Sequence, residues 1–169
     1  VNPGLFTIGD TLTSDPALTF DPIPHFAPEC FGLLRTQDIS KHKQFQKGLK
    51  QLEEEGVMQI FYSPDHVRRE PVLAAVGELQ FDVVMSRLEN EYGVKTSVER
   101  LPHALARWIV GDPATISAVY WPSDTIRLVD QQGRGVMLFT TEHLLAYCIK
   151  SNPSIKFLLR EEVEQTSAQ

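Results

Sequence analysis

The sequence lacks both a membrane-spanning segment and an amino-terminal signal. No apolar run approaches the roughly 20 residues that a membrane-spanning helix needs, and the amino terminus has no signal-peptide pattern. These absences predict a cytoplasmic protein with no membrane partner. The first residue is Val1 and not Met, so we expect the chain to be the carboxy-terminal part of a longer protein.

Cysteine is also scarce. Cys30 and Cys148 are the two cysteines of the chain, and they form neither a CxxC pair nor a metal-ligand spacing. This usage favours buried free thiols in a reducing compartment over a disulfide or a redox role.

The motifs that hold nucleotides or carry out catalysis are missing. The sequence contains no GxxxxGK[ST] loop, no GxGxxG turn and no GxSxG elbow. Its five histidines, at positions 25, 42, 66, 103 and 143, are isolated and form no HxxH or HExxH pair. We therefore predict no catalytic residue, no nucleotide-binding residue, no metal ligand and no cofactor within this chain, which is expected to bind partners.

What the sequence does contain is enough apolar material for a folded core. Hydrophobic residues make up 42% of the 169 residues and charged residues 22%, which is typical of a globular protein. The formal charge is −6, and Asp10, Asp15 and Asp21 supply half of it within a base-free segment, residues 1–22. An acidic chain of this kind argues against nonspecific coating of nucleic acid, although a local basic face can still bind RNA.

The first 24 residues are rich in turn-forming residues, with an apolar cluster at Leu5, Phe6 and Ile8. They are predicted to form the last strand of a preceding β domain and an extended linker. Residues 25–101 then alternate between strand and helix patterns. Strands are predicted over 26–36, 57–63, 71–78 and 94–101.

Two helices are predicted between those strands. The first lies between an N-cap at Ser40 and a stop at Gly56, with Phe45, Leu49 and Leu52 on one face. The second runs over 79–92 and ends at Gly93. Its buried face is predicted to carry the following residues: Phe81, Val84, Met85 and Leu88.

The order strand, helix, strand, strand, helix, strand is that of the ferredoxin-like fold, an antiparallel sheet with both helices on one face. Residues 102–169 repeat the order, with strands over 105–110, 125–129, 136–140 and 155–161 and helices over 113–121 and 142–152. The predicted fold class is therefore α+β, a ferredoxin-like βαββαβ sandwich followed by a second unit of similar order. The domains are predicted as 1–24, 25–101 and 102–169, and the pattern leaves open whether the units share one sheet or form two.

One group of charged residues has a regular spacing. Lys43, Lys47 and Lys50 recur at i, i+4 and i+7 on the helix face opposite the apolar residues, with Lys41 and Arg35 nearby. Such a stripe is either an ordinary solvated face or a surface that contacts phosphate groups. These five residues are the candidates for contact with RNA phosphates.

Two segments of the sequence resemble the third domain of ribosomal translocase-type GTPases. They are FAPECFGLLRTQDISKHKQFQKGLKQLEEEG, at 26–56, and PVLAAVGELQFDVVMSRLENEYGV, at 71–94. The Gly77–Asp82 sequence GELQFD, the FAPE segment at 26–29 and ARWI at 106–109 are more similar to the bacterial peptide chain release factor 3 family. The IGDTL segment at 8–12 resembles the end of the second, β-barrel domain of that family.

The resemblance implies a GTP-dependent factor that removes class I release factors from the ribosome after peptide release. Its GTPase domain, with GTP or GDP and Mg²⁺, would precede Val1, so no nucleotide contact is assigned to this chain. The implied partners of the chain are ribosomal RNA, small-subunit protein, class I release factors and its own upstream GTPase domain.

Two other classes of function fit the same fold. An acylphosphatase-like hydrolase would need an arginine and an asparagine beside a phosphate-binding loop, and the sequence offers Arg35 and Gln37 without a Gly-rich loop. A small-ligand regulatory domain would need an apolar pocket and would show no binding to ribosomes.

Overall fold

The computed structural model describes residues 11–15, 17–18, 20, 26–64 and 70–167. Within these ranges, eight strands and five α-helices follow one another along the chain. The strands are β1 (Cys30–Thr36), β2 (Gln59–Phe61), β3 (Val72–Ala75), β4 (Thr96–Leu101), β5 (Leu105–Val110), β6 (Thr125–Val129), β7 (Gly135–Phe139) and β8 (Lys156–Leu158). The helices are α1 (His42–Glu54), α2 (Leu79–Tyr92), α3 (Pro113–Ala118), α4 (Glu142–Ser151) and α5 (Arg160–Ser167).

The strands form two four-stranded sheets, ordered β2-β3-β1-β4 and β6-β7-β5-β8, and every pairing is antiparallel. Each order is the one that a βαββαβ chain adopts when its first and third strands lie side by side at the centre. The predicted fold class, two ferredoxin-like α+β units, is therefore confirmed, and the open question is answered in favour of two sheets. The division at residues 101 and 102 stays a prediction. The predicted boundary at residue 24 and the strand around Leu5 lie outside the described residues.

The first sheet buries one face against α1 and α2. Strand residues on that face alternate with residues on the other face, as the pleat requires. Leu88 is fully buried there, while Met85, predicted to be buried, is half-buried because it lies at the edge of the helix interface. The core between this sheet and its helices contains the following buried residues: Leu34, Phe45, Leu49, Leu52, Met58, Ile60, Leu73, Ala75, Phe81, Val84, Leu88 and Val94.

The two sheets pack against each other through their opposite faces. Phe61 of the first sheet meets Trp108 of the second edge to face, with ring centroids 5.7 Å apart. Tyr62 and Val129 exchange two backbone hydrogen bonds of 2.8 Å, which join the edges of the sheets at one point. Because α3 and α4 cover the outer face of the second sheet through a third core, the fold has four layers: helices, sheet, sheet and helices. Cys148 is buried in the third core, Cys30 is half-buried beside the first, and both are free thiols.

The predicted N-cap of the first helix, Ser40, is one residue away from the observed one. α1 begins at His42 with Lys41 at its N-cap, where no side chain caps the helix. The side-chain cap belongs to a preceding 3₁₀ turn, Ile39–Lys41: Asp38 Oδ1 accepts hydrogen bonds from the Ser40 backbone N–H and hydroxyl. Asp and Ser both cap helices, so the sequence alone does not choose between them.

The predicted last strand, 155–161, is also partly wrong. The strand ends at Leu158, and α5 follows within two residues. Glu162 reaches back so that its Oε2 accepts the backbone N–H of Leu159 at 2.6 Å, which is a capping bond at the helix start. Val163 then packs into the core between the sheets.

Candidate functional site

The predicted lysine stripe lies on the outer face of α1. Lys43, Lys47 and Lys50 are all exposed, and the opposite face of the helix is buried against the first sheet. Because an α-helix turns once every 3.6 residues, positions i, i+4 and i+7 share one side. The structure therefore brings these three side chains together on a single solvent-facing surface, here called the lysine stripe.

Two of the three lysines are free to bind something else. Lys43 and Lys47 make no ion pair or hydrogen bond with the described part of the chain. The Lys50 Nζ lies 3.7 Å from Glu54 Oε1, and both side chains are at least 60% exposed. A pair this exposed contributes little to stability, so it competes only weakly with an external phosphate.

The other two candidates are already engaged. The Lys41 Nζ donates a hydrogen bond of 2.6 Å to the carbonyl oxygen of Gly93, at the carboxy-terminal end of α2 where a cation is favoured. Arg35 pairs with Glu70 and Glu99, at 3.3 and 2.9 Å. Arg35 also points away from α1, because it alternates with Leu34, whose side chain packs under the helices. The arginine that a hydrolase would need is thus held by two carboxylates.

The stripe is carried by a rigidly packed helix pair. At Gly48, α1 passes so close to α2 that a Cβ atom would lie 2.7 Å from Leu88 Cδ2. The Tyr92 hydroxyl donates a 2.6 Å hydrogen bond to Gln51 Oε1, and Arg87 joins Glu55, the residue that follows α1, to Glu91 on its own helix. These contacts fix the orientation of the lysine stripe relative to the sheet.

The GELQFD segment shapes the start of α2. Gln80 Oε1 accepts the backbone N–H groups of Val76 and Gly77, and Gln80 Nε2 donates to the carbonyl oxygen of Val57 at 3.0 Å. Phe81 is buried in the first core, while Glu78 forms an ion pair with Arg100 on β4. The contacts of Gln80, Phe81 and Glu78 are structural, and they connect the helix start to the sheet.

A second group of polar residues is one that the sequence analysis missed. Asp130, only 7% exposed, accepts hydrogen bonds from Trp108 Nε1 at 2.8 Å and Arg134 Nε at 2.7 Å. Its Oδ1 accepts the backbone N–H groups of Gln132 and Arg134. The sequence analysis assigned no role to residues 130–135, which connect two predicted strands. An aspartate directly after a buried strand, followed by the turn-forming Gly133 and Gly135, was the available signal.

These residues border a cleft of about 470 Å³ where the two units meet. The carboxy-terminal end of α1, strand β2 and the turn after β6 line the cleft, and Arg160 of α5 contributes from the side. Burial raises the pKa of Glu53 to about 7, although the Ile60 backbone N–H and the charge of Arg160 favour its ionised form. Glu53 is therefore not the solvated helix-end residue that a run of three glutamates indicates.

The described residues hold neither a metal-binding cluster nor a membrane-spanning helix. Across residues 26–64 and 70–167, and in the shorter described pieces before them, no three His, Cys, Asp or Glu side chains converge as metal ligands. In those same residues no helix is long and apolar enough to cross a membrane.

Comparison with known proteins identifies relatives over nearly the whole chain. The family model described as "Class II release factor RF3, C-terminal domain" matches residues 20–149. Proteins named "Peptide chain release factor 3" are 48% identical over 155 residues in Cyanothece sp. and 46% identical over 158 residues in Gloeobacter violaceus. The same name belongs to a protein of Symbiobacterium thermophilum that is 42% identical over 156 residues.

The matches cover nearly all of this chain but a minor part of each relative. They span 92%, 93% and 92% of the chain, and 29%, 30% and 29% of the three relatives. The family model covers more than three quarters of the chain. The matched range includes all four strands of the first sheet and three of the second, and it ends within α4. The chain therefore belongs to the class II release factor family, RF3, and corresponds to the C-terminal domain of a release factor of this family.

Proposed function

We propose that this chain is the ribosome-contacting domain of a GTP-dependent termination factor that removes class I release factors after peptide release. The complete protein would act in the cytoplasm as a GTPase, with GTP or GDP and Mg²⁺ held in a domain upstream of Val1. The partners would be ribosomal RNA, small-subunit protein, class I release factors and that upstream domain. Membership of the release factor family is the observation that carries this proposal.

The lysine stripe supports RNA contact by this domain. Its three Cα positions extend over about 10 Å of helix, at 1.5 Å per residue. Lys43 and Lys47 carry charges that no described acid neutralises. Ammonium groups bind phosphates as point charges and displace condensed counterions. A fixed helix with such a face is suited to hold the domain against an RNA backbone.

Reversing the charge of the lysine stripe tests the proposal. We expect Lys43→Glu, Lys47→Glu and Lys50→Glu, combined in the full-length factor, to weaken ribosome binding without changing the thermal melt. Each lost phosphate contact is expected to lower the slope of log affinity against log salt by roughly one unit. The measurement is ribosome binding across a salt series, with a circular-dichroism melt beside it.

The chain offers a matched control for the charge change. Arg127, Lys150 and Lys156 are exposed cations on the second unit, and their reversal to Glu changes the net charge by the same amount. We expect this control to retain the wild-type salt slope. If the stripe variant keeps both its affinity and its slope, the stripe is an ordinary solvated face.

The assignment of GTP to an upstream domain gives a second prediction. We expect this chain by itself to bind neither GTP nor GDP, because its sequence has no phosphate-cradling loop. Calorimetric titration with either nucleotide measures this directly. A dissociation constant in the micromolar range would contradict the prediction.

A further inference from the structure

The lysine stripe is followed by a carboxylate on the same face of α1. Glu54 comes after Lys43, Lys47 and Lys50 at the spacing i, i+4, i+7 and i+11, so it lies on the same line, in the last turn of the helix. The side chains of Lys50 and Glu54 are 70% and 60% exposed. The sign of the charge therefore changes along one solvent-facing surface, between the third lysine and the end of the helix.

Glu54 is the member of the glutamate run at 53–55 that belongs to this surface. Glu53 is half-buried, and its carboxylate accepts a backbone N–H of β2. Glu55 lies beyond the end of α1 and pairs with an arginine of α2. Both of these glutamates thus have partners outside the stripe, whereas Glu54 pairs with Lys50, one of the stripe's own lysines.

Helix stability does not explain a glutamate at this position. The carboxy-terminal end of a helix carries a partial negative charge, which favours a basic residue in the last turn and disfavours a glutamate. α1 has no basic residue in that turn and no acidic residue in its first turn. The order of the pair is also unfavourable, because a glutamate stabilises a helix better when it precedes its lysine by four residues than when it follows it. Residues that break such local rules are expected at functional surfaces.

The pairing of Lys50 with Glu54 affects any phosphate that binds Lys50. Its Nζ lies 3.7 Å from Glu54 Oε1, so the ammonium group has to leave the carboxylate, or be shared between two anions, when a phosphate arrives. A carboxylate left without its partner attracts a cation from solution. That uptake offsets the counterion that the phosphate releases, so Lys50 contributes less than Lys43 or Lys47 to affinity and to its salt dependence.

We propose that Glu54 attenuates RNA binding by the lysine stripe, because its carboxylate competes with phosphate for the ammonium group of Lys50. The role given to Glu54 rests on the proposed function and names a residue that tunes it. Lys43 and Lys47 hold the RNA backbone, and Lys50 is a weaker third contact. Both members of the pair are exposed, so the competition is modest. A weakened contact suits a factor that has to dissociate from the ribosome after each round of termination.

The experiment is ribosome binding by the full-length factor across a salt series, for the wild type and for Glu54→Gln. We expect the variant to bind about threefold more tightly, which is the size of effect that an exposed ion pair allows. The slope of log affinity against log salt is expected to become steeper by up to roughly one unit. In a Lys50→Gln background, Glu54→Gln is expected to change neither quantity, because the competition acts through Lys50. A circular-dichroism melt of each variant checks that the fold is retained.

Glu89→Gln is the matched control. Glu89, on α2, pairs with Lys95 at the same separation of Nζ and Oε1, 3.7 Å, and the two side chains are 54% and 70% exposed. The substitution removes the same charge and breaks an equivalent pair outside the lysine stripe. We expect this control to bind the ribosome with the affinity and the salt slope of the wild type.

Three results would overturn the proposal. They are an unchanged affinity and slope in Glu54→Gln, an equal gain in Glu89→Gln, and a gain that persists in the Lys50→Gln background. The second result would indicate a general effect of net charge, and the third a direct repulsion of RNA by Glu54. The triple charge reversal of the lysine stripe distinguishes these failures from a failure of the proposed function. If the triple variant loses affinity while Glu54→Gln behaves as the wild type, only the role of Glu54 is wrong. If neither variant changes binding, the stripe does not contact RNA and both proposals fail.

Discussion

Leu88→Ala is expected to lower the free energy of unfolding by about 3 kcal/mol, and Phe81→Ala by a similar amount. Both side chains are buried in the core between the first sheet and its helices. Leu88 also packs against Gly48, where a Cβ atom would lie 2.7 Å from Leu88 Cδ2. Truncation there removes apolar burial and leaves a cavity that the tightly joined helices cannot close by moving together.

The measurement is urea unfolding of each variant, supported by thermal melts. Val83→Ala is the matched control, because Val83 lies on the same helix between the two sites and is about half exposed. We expect the control to unfold within about 0.5 kcal/mol of the wild type. Melts of both core variants within a degree or two of the wild type would show that this helix face is not the buried one.

The elements that the sequence predicts best are those whose ends are marked by local chemistry. The bounds of α2 were predicted correctly because a buried periodic face is followed by Gly93, which adopts φ +66°. Strands β5 and β6 were predicted with their bounds, 105–110 and 125–129, for a similar reason. Turn or helix signals border both strands, so little depends on distant contacts.

The elements that were predicted poorly depend on distant contacts. The apolar run around Leu158 is typical of one longer strand, and the packing of Val163 between the two sheets is a distant contact that favours the short helix α5. The face-to-face packing of the sheets was equally inaccessible. Phe61 and Trp108 are 47 positions apart, and nothing in their local patterns pairs them.

The candidate site was also predicted well only where it depends on local sequence and not on distant contacts. The lysine stripe was predictable because all three residues share one helix and one spacing. Lys41 was grouped with them by nearness in sequence, yet its contact is the carbonyl of Gly93, 52 residues away. Arg35 lies on a strand, where one step along the chain reverses the direction of the side chain. To predict which of the charged residues are free, one must know which are already paired. The partners of Lys41 and Arg35 lie on other elements, which the local sequence does not reveal.

Asp130→Ala is expected to lower the free energy of unfolding by about 3 to 5 kcal/mol, which is the cost of removing one partner from a buried ion pair. The substitution leaves the indole N–H of Trp108 and the guanidinium group of Arg134 without their acceptor. It also opens the turn in which Gly133 adopts φ +77°, because Asp130 Oδ1 accepts two of its backbone N–H groups. The measurement is urea unfolding of the variant against the wild type.

A double-variant cycle shows where that cost originates. Arg134→Met removes the guanidinium group and keeps most of the apolar stem. If the stranded charge dominates the loss in Asp130→Ala, the variant with both changes will be less destabilised than the sum of the two single variants. Strict additivity, to within about 0.5 kcal/mol, would show instead that Asp130 acts through Trp108 and the turn alone. Since both residues lie in the turn between β6 and β7, a coupled result means that the ion pair itself contributes to the stability of the second unit, beyond the hydrogen bond to Trp108.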